Sequence, residues 1–228
     1  MAFIHRRREI AIGDIHGCSV TFEALIYNIL KITKDDSIYI LGDLIDRGPN
    51  PKAVVDSVLK LRSKGFSIQS IMGNHEKMLL DSLYSLSALY AWASNGSKTT
   101  LRSFNVEMPS QLDIKYKEFF FSLPYYLEVR NFILVHAGIN FLAPDPFADK
   151  ESMLWMRDHP IFKDKINGRR LICGHTPKPL DEIRASLLSD KVYLDGGCVY
   201  KNVKKNQGNL CALDLHTHEL FVQENVDF

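Results

Sequence analysis

The stretch Glu9-Ile10-Ala11-Ile12-Gly13-Asp14-Ile15-His16-Gly17 decides how the rest of the chain reads. A strand-forming run enters Gly13, and Asp14 and His16 follow at once between glycines. A carboxylate and an imidazole at a strand mouth, on a turn tight enough to need glycine, can point into a cleft. The same arrangement returns four times. Gly42-Asp43-Leu44-Ile45-Asp46-Arg47-Gly48 follows Ser37–Leu41, and Gly73-Asn74-His75-Glu76 follows Ile68–Met72. His136-Ala137-Gly138 follows residues 131–135, and Gly174-His175-Thr176 follows Leu171–Cys173. Five such turns predict one composite site.

Between the first three turns the spacing is even, with equal intervals at residues 18–41 and 49–72. Each interval has room for one helix and one strand, the ingredients of a right-handed βαβ crossover. Phe22, Leu25, Ile26, Ile29 and Leu30 recur at helical spacing, with Ser19 or Thr21 as the expected N-cap. Asn50 is positioned to cap a second helix with Pro51 at its first position, Val54, Val55, Val58, Leu59 and Leu61 on its buried face, and Gly65 as its stop. Three turns then share the carboxyl edge of one parallel sheet, where open α/β sheets bind ligands. Residues 77–125 read as mostly helical. One helix interior runs through Leu79, Leu80, Leu83, Leu86 and Leu89, Trp92–Ser97 forms its loop exit, and a further helix spans Gln111–Ser122. The second half reads as strands at Tyr126–Val129, 131–135, Leu171–Cys173, Lys191–Leu194, 209–215 and 219–222, with 143–168 as a long irregular loop. The predicted class is α/β, one domain over residues 1–228.

Composition narrows the partners. Over 228 residues, 28 basic and 27 acidic side chains leave a net charge of +1. No long-range field draws the chain to nucleic acid or a membrane surface. The Arg6-Arg7-Arg8 start reads as a solvated lead-in with no signal-peptide apolar region after it, and no stretch is long enough to span a bilayer. Four scattered cysteines without a CxxC pair fit a reduced, cytoplasmic protein. Cys18 and Cys173 adjoin the turns but read as buried thiols, not ligands.

Oxygen and imidazole donors in this mixture suit Mn²⁺, Fe or Zn²⁺ better than Ca²⁺. Asp14, His16 and Asp43 form one expected metal set; Asp43, Asn74, His136 and His175 form another. Asp43 is the expected bridge, since a carboxylate can hold two ions about 3.5 Å apart. Two divalent ions against two carboxylates and a bridging hydroxide leave a positive excess suited to an anionic phosphate, and the amide of Asn74 preserves it. The ions would acidify a bound water and polarise phosphoryl oxygens, so that hydroxide attacks phosphorus in line. Arg47 supplies a guanidinium clamp for phosphate, with Arg157 as the second cation. His75 is the expected general acid, oriented by Asp46, which stabilises its imidazolium.

These blocks resemble those of the phosphoprotein phosphatase family within the calcineurin-like metallophosphoesterases, above all its bacterial and phage branch. The resemblance covers residues 9–76 and 132–215. It implies a four-layer αββα sandwich of two mixed sheets flanked by helices. It also implies two metal ions, usually Mn²⁺, on Asp14, His16, Asp43, Asn74, His136 and His175, an acid pair of Asp46 and His75, and phosphate held by Arg47 and Arg157. The expected activity is hydrolysis of phosphoserine and phosphothreonine in proteins, with phosphotyrosine or small phosphoesters as further substrates. Symmetrical diadenosine tetraphosphate hydrolases share most of the blocks and are the alternative. That group typically carries a small residue at the Asp46 position and Asp at the Glu76 position, which favours the protein phosphatase. A non-catalytic metal-binding scaffold would be expected to have lost a ligand or acid, and none is lost. Glu76 reads as a brace for the helix it begins, Asp195-Gly196-Gly197 as a tight turn, His216 and His218 as an exposed hairpin turn, and His5 and His159 as surface residues.

Overall fold

The computed structural model describes residues 7–158 and 160–228; His5, Arg6 and His159 lie outside them. One sheet runs in the order β10-β9-β1-β2-β3, built from β1 (Glu9–Ile12), β2 (Ser37–Ile40), β3 (Ser67–Ser70), β9 (Asn209–Asp214) and β10 (Leu220–Glu224), with the two-residue β8 (Asp195–Gly196) pairing to β9. β1, β2 and β3 are parallel, Ile10 facing Ile38 and Ile38 facing Ile68, whereas β9 is antiparallel to both its neighbours. The second sheet runs β4-β5-β6-β7, from β4 (Tyr126–Val129), β5 (Phe132–Val135), β6 (Arg170–Cys173) and β7 (Lys191–Tyr193), and only β4 is antiparallel. All five sequence blocks therefore leave the carboxyl ends of parallel strands, three from one sheet and two from the other.

The sheets face each other through Ala11, Leu41, Ile71, Leu134, Ile172, Val192 and Leu213, all buried. The outer face of the first sheet packs on helices α1 (Ser19–Ala24), α2 (Pro51–Ser63), α3 (Asn74–Ser82), α4 (Leu86–Ser94), α5 (Ser97–Phe104) and α6 (Ile114–Phe121). The outer face of the second is covered by Ile139, Phe141, Ile166 and Met153, the last on α7 (Lys150–Trp155); α8 (Leu180–Ser186) precedes β7. This is the expected arrangement of two mixed sheets flanked by helices. Among the described residues no helix is long and apolar enough to cross a membrane.

Local signals held where they were self-contained. The Asn50 side chain accepts from Ala53 N at 3.3 Å with Pro51 first in α2, and Gly65 follows the helix end at φ 83°. They failed where a distant residue intervened. Neither Ser19 nor Thr21 caps α1; the Asp227 carboxylate accepts from Val20 N and Thr21 N at 3.1 and 2.8 Å. The same helix widens into a π-helical segment at Leu25–Leu30. The single helix expected through Leu89 is two, broken before Ser85, which caps α4. Trp92 belongs to α4 and is fully buried, not in a loop exit. The helix expected from Gln111 begins at Ile114, capped by Asp113. The irregular stretch 143–168 carries α7 and a 3₁₀ turn at Lys163–Ile166. Arg8 is no solvated lead-in: its guanidinium donates to both Asp36 oxygens at 2.9 and 2.7 Å, tying the starts of β1 and β2 together.

Candidate metal and phosphate site

Two parallel edges meet where the sheets pack, and the site lies there. Asp43 is its centre. Its Oδ2 lies 3.4 Å from His16 Nε2, 3.5 Å from His136 Nε2 and 4.0 Å from His75 Nε2. Potential ligand atoms of His16, Asp43 and His75 form one cluster, and those of Asp43, His136 and His175 form another. Asn74 joins the second: its Oδ1 is 2.8 Å from His136 Nε2 and 3.1 Å from His175 Nδ1. Asp14 is anchored from the other sheet, Oδ2 accepting from His175 N at 2.9 Å, and Gly174 is so close that a Cβ there would meet Asp14 Oδ1 at 2.0 Å.

The donor set fits cations. His16 donates from Nδ1 to Ile45 O at 2.9 Å, and His136 from Nδ1 to Leu41 O at 2.8 Å. The His136 ring therefore turns a bare Nε2 lone pair toward the Asp43 carboxylate, acceptor against acceptor, an arrangement that a positive ion relieves, whereas the His16 Nε2 lone pair accepts from Arg47. Burial holds His16 well below the usual imidazole range, lowers His136, and brings His175 down to about 3, a shift toward the neutral ring in each case. Burial opposes ionisation of Asp43, but the surrounding imidazoles outweigh it and hold the carboxyl below its ordinary range. Asp14 Oδ1, His75 Nε2 and His175 Nε2 are buried without a hydrogen-bond partner, a cost that coordination or substrate contact would remove. Cys18 and Cys173 are not in either cluster; burial pushes the Cys173 thiol up to about 11.

The two residues of the candidate acid pair are in contact. His75 Nδ1 donates to Asp46 Oδ2 at 2.6 Å, and both side chains are fully buried. Asp46 also accepts from Trp92 Nε1 at 2.7 Å and Thr100 Oγ1 at 2.5 Å. The sequence does not single out Trp92 or Thr100 as partners of Asp46: Trp92 reads there as the start of a loop exit, and only its indole N–H signals a need for an acceptor.

The loop bearing these groups is strained. His16, Asp43, Asp46, Arg47 and His175 all sit at φ between 48° and 69°, the left-handed region that L residues avoid. Glu76 holds much of this geometry. Its carboxylate accepts from Asp43 N, Leu44 N, Ile45 N and Gly73 N at 2.8, 2.8, 3.3 and 3.1 Å, bracing the 43–45 turn as well as its own helix. Asp195 does form a turn, its Oδ1 accepting from Gly197 N at 2.8 Å, but its side chain is also buried beside Asp14. Burial pushes Asp195 up to about 7, and burial with the neighbouring Asp195 and Asp43 charges raises Asp14 well above the carboxylate range.

Arg47 Nη1 donates to His16 Nε2 at 2.7 Å, so guanidinium and metal compete for one lone pair. Arg157 is exposed, its Nη1 donating to Thr176 Oγ1 at 3.3 Å. A polar cavity of about 150 Å³ brings Arg47, Arg157, Asp43, Asn74 and His175 together, with Tyr200 and Lys204, which the sequence reading passed over. His216 and His218 lie at the β9–β10 turn, at the sheet end remote from the site.

Residues 8–218 match the family described as calcineurin-like phosphoesterase. The chain is 29% identical over 165 residues to a Pectobacterium atrosepticum protein named symmetrical bis(5'-nucleosyl)-tetraphosphatase, covering 69% of this chain and 54% of the relative. An Acidovorax sp. protein of the same name is 40% identical over 73 residues, 32% of this chain and 25% of the relative. The chain thus spans between a quarter and about half the length of such relatives. Among solved structures, one provisionally named a diadenosine tetraphosphatase aligns at TM-score 0.62 with 19% identity, covering 97% of this chain and 95% of that one. A Saccharomyces cerevisiae protein serine/threonine phosphatase aligns at TM-score 0.61 with 16% identity, over 95% and 79%. At such identities these two likenesses speak for the fold alone.

Proposed function

Since the chain belongs to the calcineurin-like phosphoesterase family, a family of metal-dependent hydrolases, we propose that its substrate is a dinucleoside tetraphosphate, cleaved symmetrically. The observation that carries this reading is the shared name of the relatives it matches, among them the one from Pectobacterium. It reverses the preference for phosphoproteins that Asp46 and Glu76 suggested in the sequence.

In this reading Asp14, His16, Asp43, Asn74, His136 and His175 hold two divalent ions, Mn²⁺ foremost with Fe or Zn²⁺ as alternatives, in a cytoplasmic enzyme. The ions supply Lewis-acid polarisation of the phosphoryl oxygens and an acidified water. Arg47 and Arg157 line the cavity from two sides and balance charge on the equatorial oxygens of the transferring phosphoryl group. His75 carries the leaving-group proton at Nε2, because its Nδ1–H is committed to Asp46. Asp46, fixed by Trp92 and Thr100, orients the ring.

A second reading, hydrolysis of phosphoserine or phosphothreonine, is favoured by this same acid pair. An alkoxide leaving group needs a proton in the transition state far more than a nucleotide phosphate does. The deciding experiment compares kcat/KM of the Mn²⁺-reconstituted protein on diadenosine tetraphosphate and on a phosphothreonine peptide. At least tenfold preference for the dinucleotide, with ADP as sole product, is expected; the reverse preference would assign the phosphoprotein reading.

A further inference from the structure

Beside the polar cavity lies a larger one of about 520 Å³, within the range of small-molecule pockets. The two share Arg47, Asn95 and Tyr200 and so form one continuous depression. The larger is walled by Val199, Val203 and Phe228, and the last two are 73% and 56% exposed. Exposed apolar side chains bordering a cationic pocket keep their hydration cost until something apolar covers them. Lys204, 4.4 Å from the Tyr200 ring centroid, adds a third cation to Arg47 and Arg157, more positive charge than a single phosphate calls for.

We propose that the larger cavity is a nucleoside subsite, walled by Val199, Val203 and Phe228, and that Lys204 meets the phosphate lying between it and the reacting phosphorus. This rests on the dinucleoside tetraphosphate reading and specifies how that substrate is held. Charge and shape favour a nucleotide over a phosphopeptide. A polyphosphate places successive anions along the three cations, and a base offers a flat apolar face to Val203 and Phe228. Asn95, whose Nδ2 donates to Ala91 O at 2.8 Å, lines both cavities and offers its amide oxygen as an acceptor where they join.

ADP is pyrophosphate with an adenosine attached, so the pair isolates the subsite. Calorimetric Kd values for ADP and for inorganic pyrophosphate are measured on the Mn²⁺-reconstituted protein and on a neutral double variant, Val203→Asn with Phe228→Ser. ADP is expected to bind at least tenfold more tightly than pyrophosphate. The variant should lose most of that advantage while its pyrophosphate Kd moves less than twofold, which also reports an intact fold. Equal affinity for the two ligands in the parent protein, or parallel weakening of both in the variant, would overturn the subsite. Selective, variant-sensitive ADP binding without cleavage of diadenosine tetraphosphate would uphold the subsite and discard the proposed reaction. Competition by a phosphothreonine peptide that the same variant abolishes, with no ADP preference, would give the cavity to peptide instead.

Discussion

His75 can serve as an acid only while Asp46 fixes its ring, and Asp46 is itself held by Trp92 and Thr100. His75→Asn is expected to keep its full complement of metal, read by atomic absorption, while kcat falls at least a hundredfold on a substrate with an alkoxide leaving group. The loss should shrink on p-nitrophenyl phosphate, whose leaving group needs little protonation. Equal loss of metal would remove the acid assignment. Thr100→Val keeps the side-chain volume but removes both the hydrogen bond to the buried Asp46 carboxylate and the acceptor of Asp46 N. It should cost about 2 kcal/mol of stability, read by denaturant unfolding, and lower kcat with little change in KM.

At the scale of elements, strain in the 43–47 turn is balanced by one side chain from α3. Glu76→Gln replaces an acceptor of four backbone N–H groups by an amide whose NH₂ faces some of them. A loss of about 3 kcal/mol and weaker metal binding are expected, measured by unfolding and by Mn²⁺ titration. The β1–β2 start has its own clamp in Arg8 and Asp36. Arg8 lowers the Asp36 pKa from its ordinary 3.8 despite burial, so the folded carboxyl gives up its proton more readily than the unfolded one. Its stabilisation is therefore present above about pH 4 and lost as pH falls through the folded value. Asp36→Asn should cost about 2 kcal/mol at pH 7 and flatten the fall in stability below pH 4.

For the whole molecule, the packing of two sheets gathers more buried carboxyls than the metal-free protein can ionise. Asp195 is raised to about 7 and Asp14 also lies high, so the folded state holds protons that the unfolded chain has released. For raised carboxyls, stability falls as pH climbs through the folded pKa. The lowered histidines act in the opposite sense below their unfolded value near 6.5 and are silent above it. Between pH 6.5 and 8, then, the chelator-treated protein should lose thermal stability. Adding Mn²⁺ should remove that slope and raise Tm, with a stability gain of about 2.7 kcal/mol once free metal reaches a hundred times its Kd.

The strand–turn–helix rhythm, the candidate ligand types, the helix start at Pro51 and its stop at Gly65 were legible in the sequence because each depends on neighbours a few residues away. Even spacing was enough to put Asp14, Asp43 and Asn74 on one edge. Contacts between remote segments were not legible. Asp227 caps a helix more than two hundred residues earlier, Trp92 and Thr100 reach Asp46 from α4 and α5, Asp195 is buried beside Asp14, and Tyr200 with Lys204 closes the cavity. Residue type alone says which groups are chemically able to bind metal and phosphate, and that much is written along the chain. Which polar groups are buried together follows from the fold, because desolvation and packing depend on what the second sheet and the returning chain place against them.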